Sequence, residues 1–379
     1  MRMLDNLYIK RTCPSCIQEF YPGDCEIVST TTSGKVLEGP PRKGWQQHVA
    51  RMFPKRLDGV YTLELACRKC PNCGYLLPPN VERVENINIA VVGDTSSGKS
   101  HYIAALIHLI QKGELQRADQ YARFVCLTQD VEQEYRDNLL KPLFVDKQML
   151  DFTQQAIDQN RAPLIYELIL SPSPEHPARQ INLIMYDVSG EDLAIRQRMM
   201  QFSRYVVNAN AMIFLADPGS MPEIARQLPQ FLQPRVITGR TSSSVFNSII
   251  QLLESYRGLD SGARLENMPI AMTLSKSDLL KQLTPIQQQY SFLQKSSYGG
   301  SINLQDLDII NHEVRQLLED YGELPLLQAT RNFSRSRFFA VSATGYAPDV
   351  SGKYPAVEPY RCLEPLLWIL YELDILHMV

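Results

Sequence analysis

Ten residues, Val91 to Ser100, read VVGDTSSGKS. Two branched apolar residues end at Gly93. Asp94, Thr95, Ser96 and Ser97 follow, and Gly98-Lys99-Ser100 completes the pattern G-x-x-x-x-G-K-[ST]. Glycines permit backbone angles that turn successive N–H groups toward one anion. A helix beginning at Lys99 adds the positive end of its dipole. The lysine reaches the outer phosphates, and the Ser100 hydroxyl suits one Mg²⁺ position. The four fixed positions arise by chance in only about one or two chains of this length per hundred. Here they also follow an apolar strand and open a helical pattern, so the stretch reads as a nucleotide phosphate site.

Such a loop reads phosphate, not base. Base identity has to come from the C-terminal ends of later strands. After INLIMY stands Asp187-Val188-Ser189-Gly190, a carboxylate able to hold Mg²⁺ through water and a glycine N–H able to meet a γ-phosphate. Ser275-Lys276-Ser277-Asp278 closes MPIAMTL. A carboxylate there accepts both N1–H and N2–H of guanine, which adenine does not offer, while the lysine stem lies along the base plane. Ser342-Ala343-Thr344 ends the last strand, where the Ala343 N–H suits guanine O6. Each string alone is common in unrelated chains. Their order and strand-end placement carry the argument.

A second chemistry lies upstream. Of eight cysteines, six sit at positions 13, 16, 25, 67, 70 and 73. Cys13-Pro-Ser-Cys16 and Cys70-Pro-Asn-Cys73-Gly74 are knuckles of one type, and four thiolates suit tetrahedral Zn²⁺. Cys67-x-x-Cys70 is also a ligand spacing, which leaves a register using Cys67 open, and Cys25 is spare. Cys126 and Cys362 lie in apolar strings and read as core residues. Residues 17–69 separate the knuckles and include the basic run PPRKGWQQHVARMFPKR (40–56), read as a solvated or protein-docking surface.

Elements that position these residues are read from periodicity. Expected strands are NINIAVVGD, PLIYELIL (163–170), INLIMYD (181–187), AMIFLAD (211–217), MPIAMTL (268–274) and RFFAVSA (337–343). Expected helices are KSHYIAALIHLIQKG and, approximately, 191–206, 244–257, 304–321 and 363–376. Strands alternating with helices make an α/β sheet, with a cysteine module over 1–80 and the phosphate-loop domain over 86–379. Insertions are expected near 114–162, 218–265 and 280–335. The formal net charge of −3 argues against duplex nucleic acid or an anionic membrane as main partner. With no secretory signal pattern and no apolar run of spanning length, a cytoplasmic protein is expected. The oligomeric state is left open.

Over about residues 86–379 the chain resembles Ras-like GTPases of the translation-factor-related class, which carry five G-box motifs. The resemblance implies a mostly parallel sheet flanked by helices. Gly93–Ser100 is then the first box, Asp187–Gly190 the third, Ser275–Asp278 the fourth and Ser342–Thr344 the fifth. MYDVSGEDLAIRQRMMQFSRYVVNANAMIFLADP and YRCLEPLLWILYEL further resemble bacterial double-GTPase proteins, which are associated with conflict or defence systems and often carry an N-terminal cysteine knuckle. Two departures stand out. Ser275 replaces the usual Asn or Thr, keeping a hydroxyl to tie its loop to the phosphate loop with fewer bonds. Glu191 stands where many relatives have a water-orienting glutamine, which implies slow intrinsic hydrolysis.

The resemblance implies a second-box threonine touching Mg²⁺ and γ-phosphate. Thr153 is the choice, with Thr128 the other candidate and an ordinary helical role equally open for Thr153. Motifs and resemblance together imply a GTP/GDP-binding, GTP-hydrolysing switch with effector or regulator proteins as partners. The competing readings are a weakly catalytic nucleotide-binding scaffold and an ATPase.

Overall fold

Strands buried on both faces read as unbroken apolar runs. In the computed structural model those runs form the middle of a seven-stranded sheet. The structure describes residues 5–30, 55–57, 60–62, 65–94, 97–115, 122–150, 163–172, 177–187, 204–232, 241–258, 260, 265, 268–293 and 303–376. The sheet strands are β1 (Glu85–Gly93), β2 (Ala122–Cys126), β3 (Leu164–Leu170), β4 (Arg179–Asp187), β5 (Ala211–Ala216), β6 (Ile270–Leu274) and β7 (Ser336–Ala340). They lie in the order β7-β6-β5-β1-β4-β3-β2. From β7 to β4 they run parallel; β3 is antiparallel to β4, and β2 to β3. Every residue of β5 and β6 is buried. In β2, Arg123 and Val125 are exposed while Ala122 is buried, the alternation of an edge strand with one wet face.

Register places the motif loops on one edge. Leu215 stands opposite Gly93, Ala216 opposite Leu274, and Leu274 opposite Ala340. Asp187 pairs with Val91. Because β4 and β5 flank β1 on opposite sides, the chain leaves Gly93 where the strand order reverses. Open α/β sheets bind ligands at that point.

The main helices are α1 (Lys99–Gln111), α2 (Ser242–Arg257), α3 (Leu304–Asp320) and α4 (Glu364–Glu372). α3 buries Leu307, Ile310, Val314, Leu317 and Leu318, a helical stripe that packs on β7. Thr241 caps α2 by accepting the Ser244 N–H, and Gly258 ends it in the left-handed conformation. The helix expected over 363–376 stops at Glu372, and of 191–206 only residues 204–206 are described, in a helical turn that runs to 207. The expected insertion over 114–162 supplies β2 to the sheet and a helix over Gln129–Tyr135 that widens into π-type turns over Arg136–Val145.

The cysteine segment packs against this sheet. Arg11–Thr12 pairs with Glu19–Phe20, and Glu26–Thr30 with Leu65–Lys69. Cys13, Phe20, Cys25, Cys70, Leu77 and Val81 form its own small core, yet Ile17 belongs to the core of the sheet. Amides satisfy one another at the boundary. Asn86 Nδ2 donates to the Thr12 carbonyl (2.9 Å), and Asn182 Nδ2 donates to the Asn86 side-chain oxygen (3.0 Å). Most of the basic run over 40–56 lies outside the described residues.

Candidate functional site

The phosphate loop bends because its glycines permit it. A Cβ on Gly93 would stand 2.5 Å from the Leu215 carbonyl oxygen, so no side chain fits between the loop and β5. Gly98, at φ 74°, caps α1 in the left-handed conformation, and its carbonyl accepts the Tyr102 N–H. Lys99 is buried, with Nζ donating to the carbonyls of Gly93 (3.2 Å) and Asp94 (2.7 Å). Ser97 is fully buried, and its hydroxyl donates to the Asp94 carbonyl. Ser100 is half-buried in the first turn of α1, which holds no acidic residue to oppose an anion. The Asp94 carboxylate accepts the Ser242 hydroxyl at the start of α2 (2.7 Å). Burial raises its pKa, opposed by that bond. Thr95 and Ser96 lie outside the described residues.

The loops after β6 and β7 converge on the same edge. Lys276 sits at φ 49°, and its aliphatic stem is the nearest neighbour of Gly98, 3.5 Å from where a Cβ would stand. Its Nζ pairs with the buried Asp217 at 2.7 Å. Asp278 is buried and accepts the Ser342 hydroxyl at 2.5 Å. The Ser342 oxygen in turn accepts the N–H of Gly345 (2.7 Å) and of Thr344 (3.4 Å). The Ser277 N–H donates to the Val341 carbonyl, tying the fourth-box loop to the end of β7. Ala343, partly buried, packs against the core. Burial raises the Asp278 pKa, with the Ser342 bond acting in the opposite direction.

One expectation needs correcting. The Ser275 hydroxyl does not reach the phosphate loop; it donates to the Ala216 carbonyl at 3.1 Å. Lys276 supplies the link to that loop instead. On the magnesium side, the Asp187 backbone ends β4, while Gly190, Glu191 and Thr153 lie outside the described residues. Thr128 precedes the helix Gln129–Tyr135 at the β2 edge, where its hydroxyl accepts the Ile165 N–H (3.1 Å).

The fold decides which cysteines cluster. Cys13, Cys16, Cys70 and Cys73 bring their sulfurs within 4.8 Å of one another, while Cys67 sits in the strand Leu65–Lys69 opposite Val28. The Cys25 thiol donates to the Tyr21 carbonyl. Cys13 Sγ to Cys73 Sγ and Cys16 Sγ to Cys70 Sγ are each 3.8 Å. A tetrahedron with Zn–S of about 2.3 Å has edges of about 3.8 Å, so the donor set and spacing fit Zn²⁺. Burial pushes the Cys16 thiol up to about 11 and Cys13 well above the ordinary thiol range, a cost that a bound dication removes. Gly74 and Ile17 each follow the second cysteine of a knuckle, at φ 73° and 61°. For a β-branched residue that conformation costs on the order of 1–3 kcal/mol, which the burial of Ile17 in the sheet core offsets.

Residues 87–323 match the family described as Double-GTPase 2. The chain belongs to that family. Guanine-nucleotide binding goes with it. Over 368 residues the chain is 26% identical to SaeC of Mycolicibacterium smegmatis, a protein named for ESX-1 scaffolding and assembly, covering 92% of this chain and 88% of SaeC. Two solved structures are more distantly similar, each at 13% identity. The signal recognition particle receptor SRb-GTP/SRX complex from Chaetomium thermophilum has TM-score 0.28, covering 69% of this chain and 93% of that one. The GTP-bound S. cerevisiae Ski7 GTPase-like domain has TM-score 0.31, covering 77% of this chain and 51% of that one.

Several residues of this family member escaped sequence reasoning. Asp217 anchors Lys276, and its signal was a carboxylate ending the strand FLAD. Ser242 had no signal, because its partner Asp94 lies 148 residues away.

Proposed function

We propose that the chain is a Mg²⁺-dependent GTP-binding switch with slow GTP hydrolysis to GDP and phosphate. The observation that supports this is the buried Asp278 carboxylate, held by the Ser342 hydroxyl and two residues from Lys276, whose stem lies against Gly98 of the phosphate loop. Lys99 and the amides of the loop hold the phosphates, and Ser100 and Asp187 serve Mg²⁺. Asp278 accepts the guanine N1–H and N2–H, with the Ala343 N–H on O6. Bound Mg²⁺ supplies charge neutralisation across the phosphates. Glu191 orients water or takes its proton, and Thr153 and Gly190 answer to the γ-phosphate, the contacts that make such loops sensitive to nucleotide state.

Cys13, Cys16, Cys70 and Cys73 hold a structural Zn²⁺ in a module over 1–80, followed by the GTPase domain over 86–379. Among the described residues no helix is long and apolar enough to cross a membrane; the cytoplasmic placement we propose rests on the sequence alone. Conflict or defence systems for double-GTPase proteins, and scaffolding for SaeC by its name, share a multi-protein setting. Effector or regulator proteins are therefore the partners we propose. The name of SaeC also favours a second reading, a scaffold that binds GTP and barely turns it over. Phosphate release from Mg²⁺–GTP by purified protein separates the two. A rate abolished by Lys99→Ala supports the switch; no release above the Lys99→Ala background supports the scaffold.

A further inference from the structure

The cysteine cluster and the strand that carries Asp187 are joined by side-chain contacts. β4 ends in Tyr186-Asp187, and the buried Tyr186 hydroxyl donates to the Pro14 carbonyl at 2.8 Å. The chain re-enters the described residues at 204, where the Tyr205 hydroxyl donates to the Ser15 carbonyl at 3.0 Å. The two phenol rings pack on each other with centroids 4.3 Å apart. Pro14 and Ser15 are the two residues between Cys13 and Cys16, so a metal on these sulfurs fixes the two carbonyls that the tyrosines grip. Ile17, next after Cys16, holds an unfavourable backbone angle while its side chain is buried in the sheet core. The equivalent residue of the other knuckle is Gly74, where nothing opposes the turn. The first knuckle is thus bolted to the sheet at its tip and at its exit.

We propose that the metal-loaded knuckle Cys13–Cys16 positions the magnesium side of the nucleotide site, with Tyr186 and Tyr205 as the positioning residues. The inference rests on the proposed GTP–Mg²⁺ function. Fixing the Pro14 and Ser15 carbonyls fixes the tyrosine hydroxyls, and Tyr186 is the immediate neighbour of Asp187 on the strand. Zinc therefore favours the arrangement that Mg²⁺–GTP requires. By linkage, Mg²⁺–GTP holds zinc more tightly in the cluster. A module that only stabilised the fold would leave the magnesium dependence of GTP binding untouched.

The test compares wild type with the Tyr186→Phe/Tyr205→Phe double variant, which loses two hydroxyls and no ring. GTP affinity is measured with Mg²⁺ and in magnesium-depleted buffer free of zinc chelators, with zinc content and thermal melting recorded alongside. The double variant is expected to keep about one zinc per chain and wild-type affinity without magnesium. It should lose about tenfold of the gain that Mg²⁺ gives, the value of two modest hydrogen bonds. In a second arm, zinc transfer to a colorimetric chelator should slow severalfold when Mg²⁺–GTP is bound to wild type. A folded double variant with the full magnesium gain overturns the inference and leaves the GTP reading standing. Zinc release from wild type that ignores Mg²⁺–GTP does the same, and that arm decides alone if the variant fails to fold. Wild type without any magnesium-dependent gain overturns both.

Discussion

Asp278→Asn changes one atom type in a buried position and should change which base the protein prefers. Asp278 accepts the Ser342 hydroxyl, and an asparagine oxygen can keep that bond. Its amide nitrogen then faces the guanine N1–H and N2–H, donor against donor. A carboxylate accepting both makes two charge-assisted bonds, each worth roughly 1.5–3 kcal/mol. Losing both costs about 3–6 kcal/mol, or more than roughly a hundredfold in GTP affinity. Xanthosine triphosphate should gain, because its 2-oxo group accepts from the new amide. The fold should not suffer. Burial raises the Asp278 pKa, so its contribution to stability is present at low pH and lost as pH rises through the folded-state value. A neutral amide in its place carries no charge for burial to penalise. Displacement of a fluorescent guanine nucleotide gives both affinities, and thermal melting guards the fold. A variant that binds GTP within about threefold of wild type, with no preference for the xanthine nucleotide, refutes the reasoning.

Lys99→Ala should lower GTP affinity by about a hundredfold or more, since the proposed site uses this buried loop cation on the outer phosphates. Unchanged affinity by calorimetry would make the loop a structural turn. Asp217→Asn keeps an acceptor for the Gly219 N–H but removes the negative partner of Lys276. GTP should bind roughly threefold to tenfold more weakly, a modest loss because the lysine is partly exposed; no change would show that the ion pair does not place Lys276. Protein purified without chelators should contain about one zinc per chain, and Cys73→Ser should lose it together with thermal stability. A zinc-free wild type by elemental analysis contradicts the cluster.

Strands such as AMIFLAD and MPIAMTL were legible because burial on both faces leaves no room for polar residues, and the structure places them at Ala211–Ala216 and Ile270–Leu274. The phosphate loop was legible because its glycines answer local demands: one at the β5 contact, one at a left-handed helix cap. Other features were settled only by tertiary structure. Cys67 and Cys73 are equally spaced from Cys70, and pairing of Leu65–Lys69 with Glu26–Thr30 removes Cys67 from the cluster. The π-type turns around Pro142 break the periodicity from which helices are read. The Ser275 hydroxyl was expected to tie its loop to the phosphate loop, but it bonds the Ala216 carbonyl instead. Tyr186 and Tyr205 look like ordinary strand and helix aromatics until Pro14 and Ser15 come within reach of their hydroxyls.

The central claim is that this cradle, with Asp278 beside it, reads guanine. The most direct test is equilibrium titration of nucleotide-free wild type with fluorescent GDP and ADP under identical magnesium and salt. Adenine offers neither the N1–H nor the 2-amino group and sets a donor where guanine has O6, so a buried carboxylate facing it loses its partners. GDP is expected to bind at least about a hundredfold more tightly. Equal affinity for GDP and ADP would contradict the account, because Asp278 and Ala343 would then have no part in selecting the base.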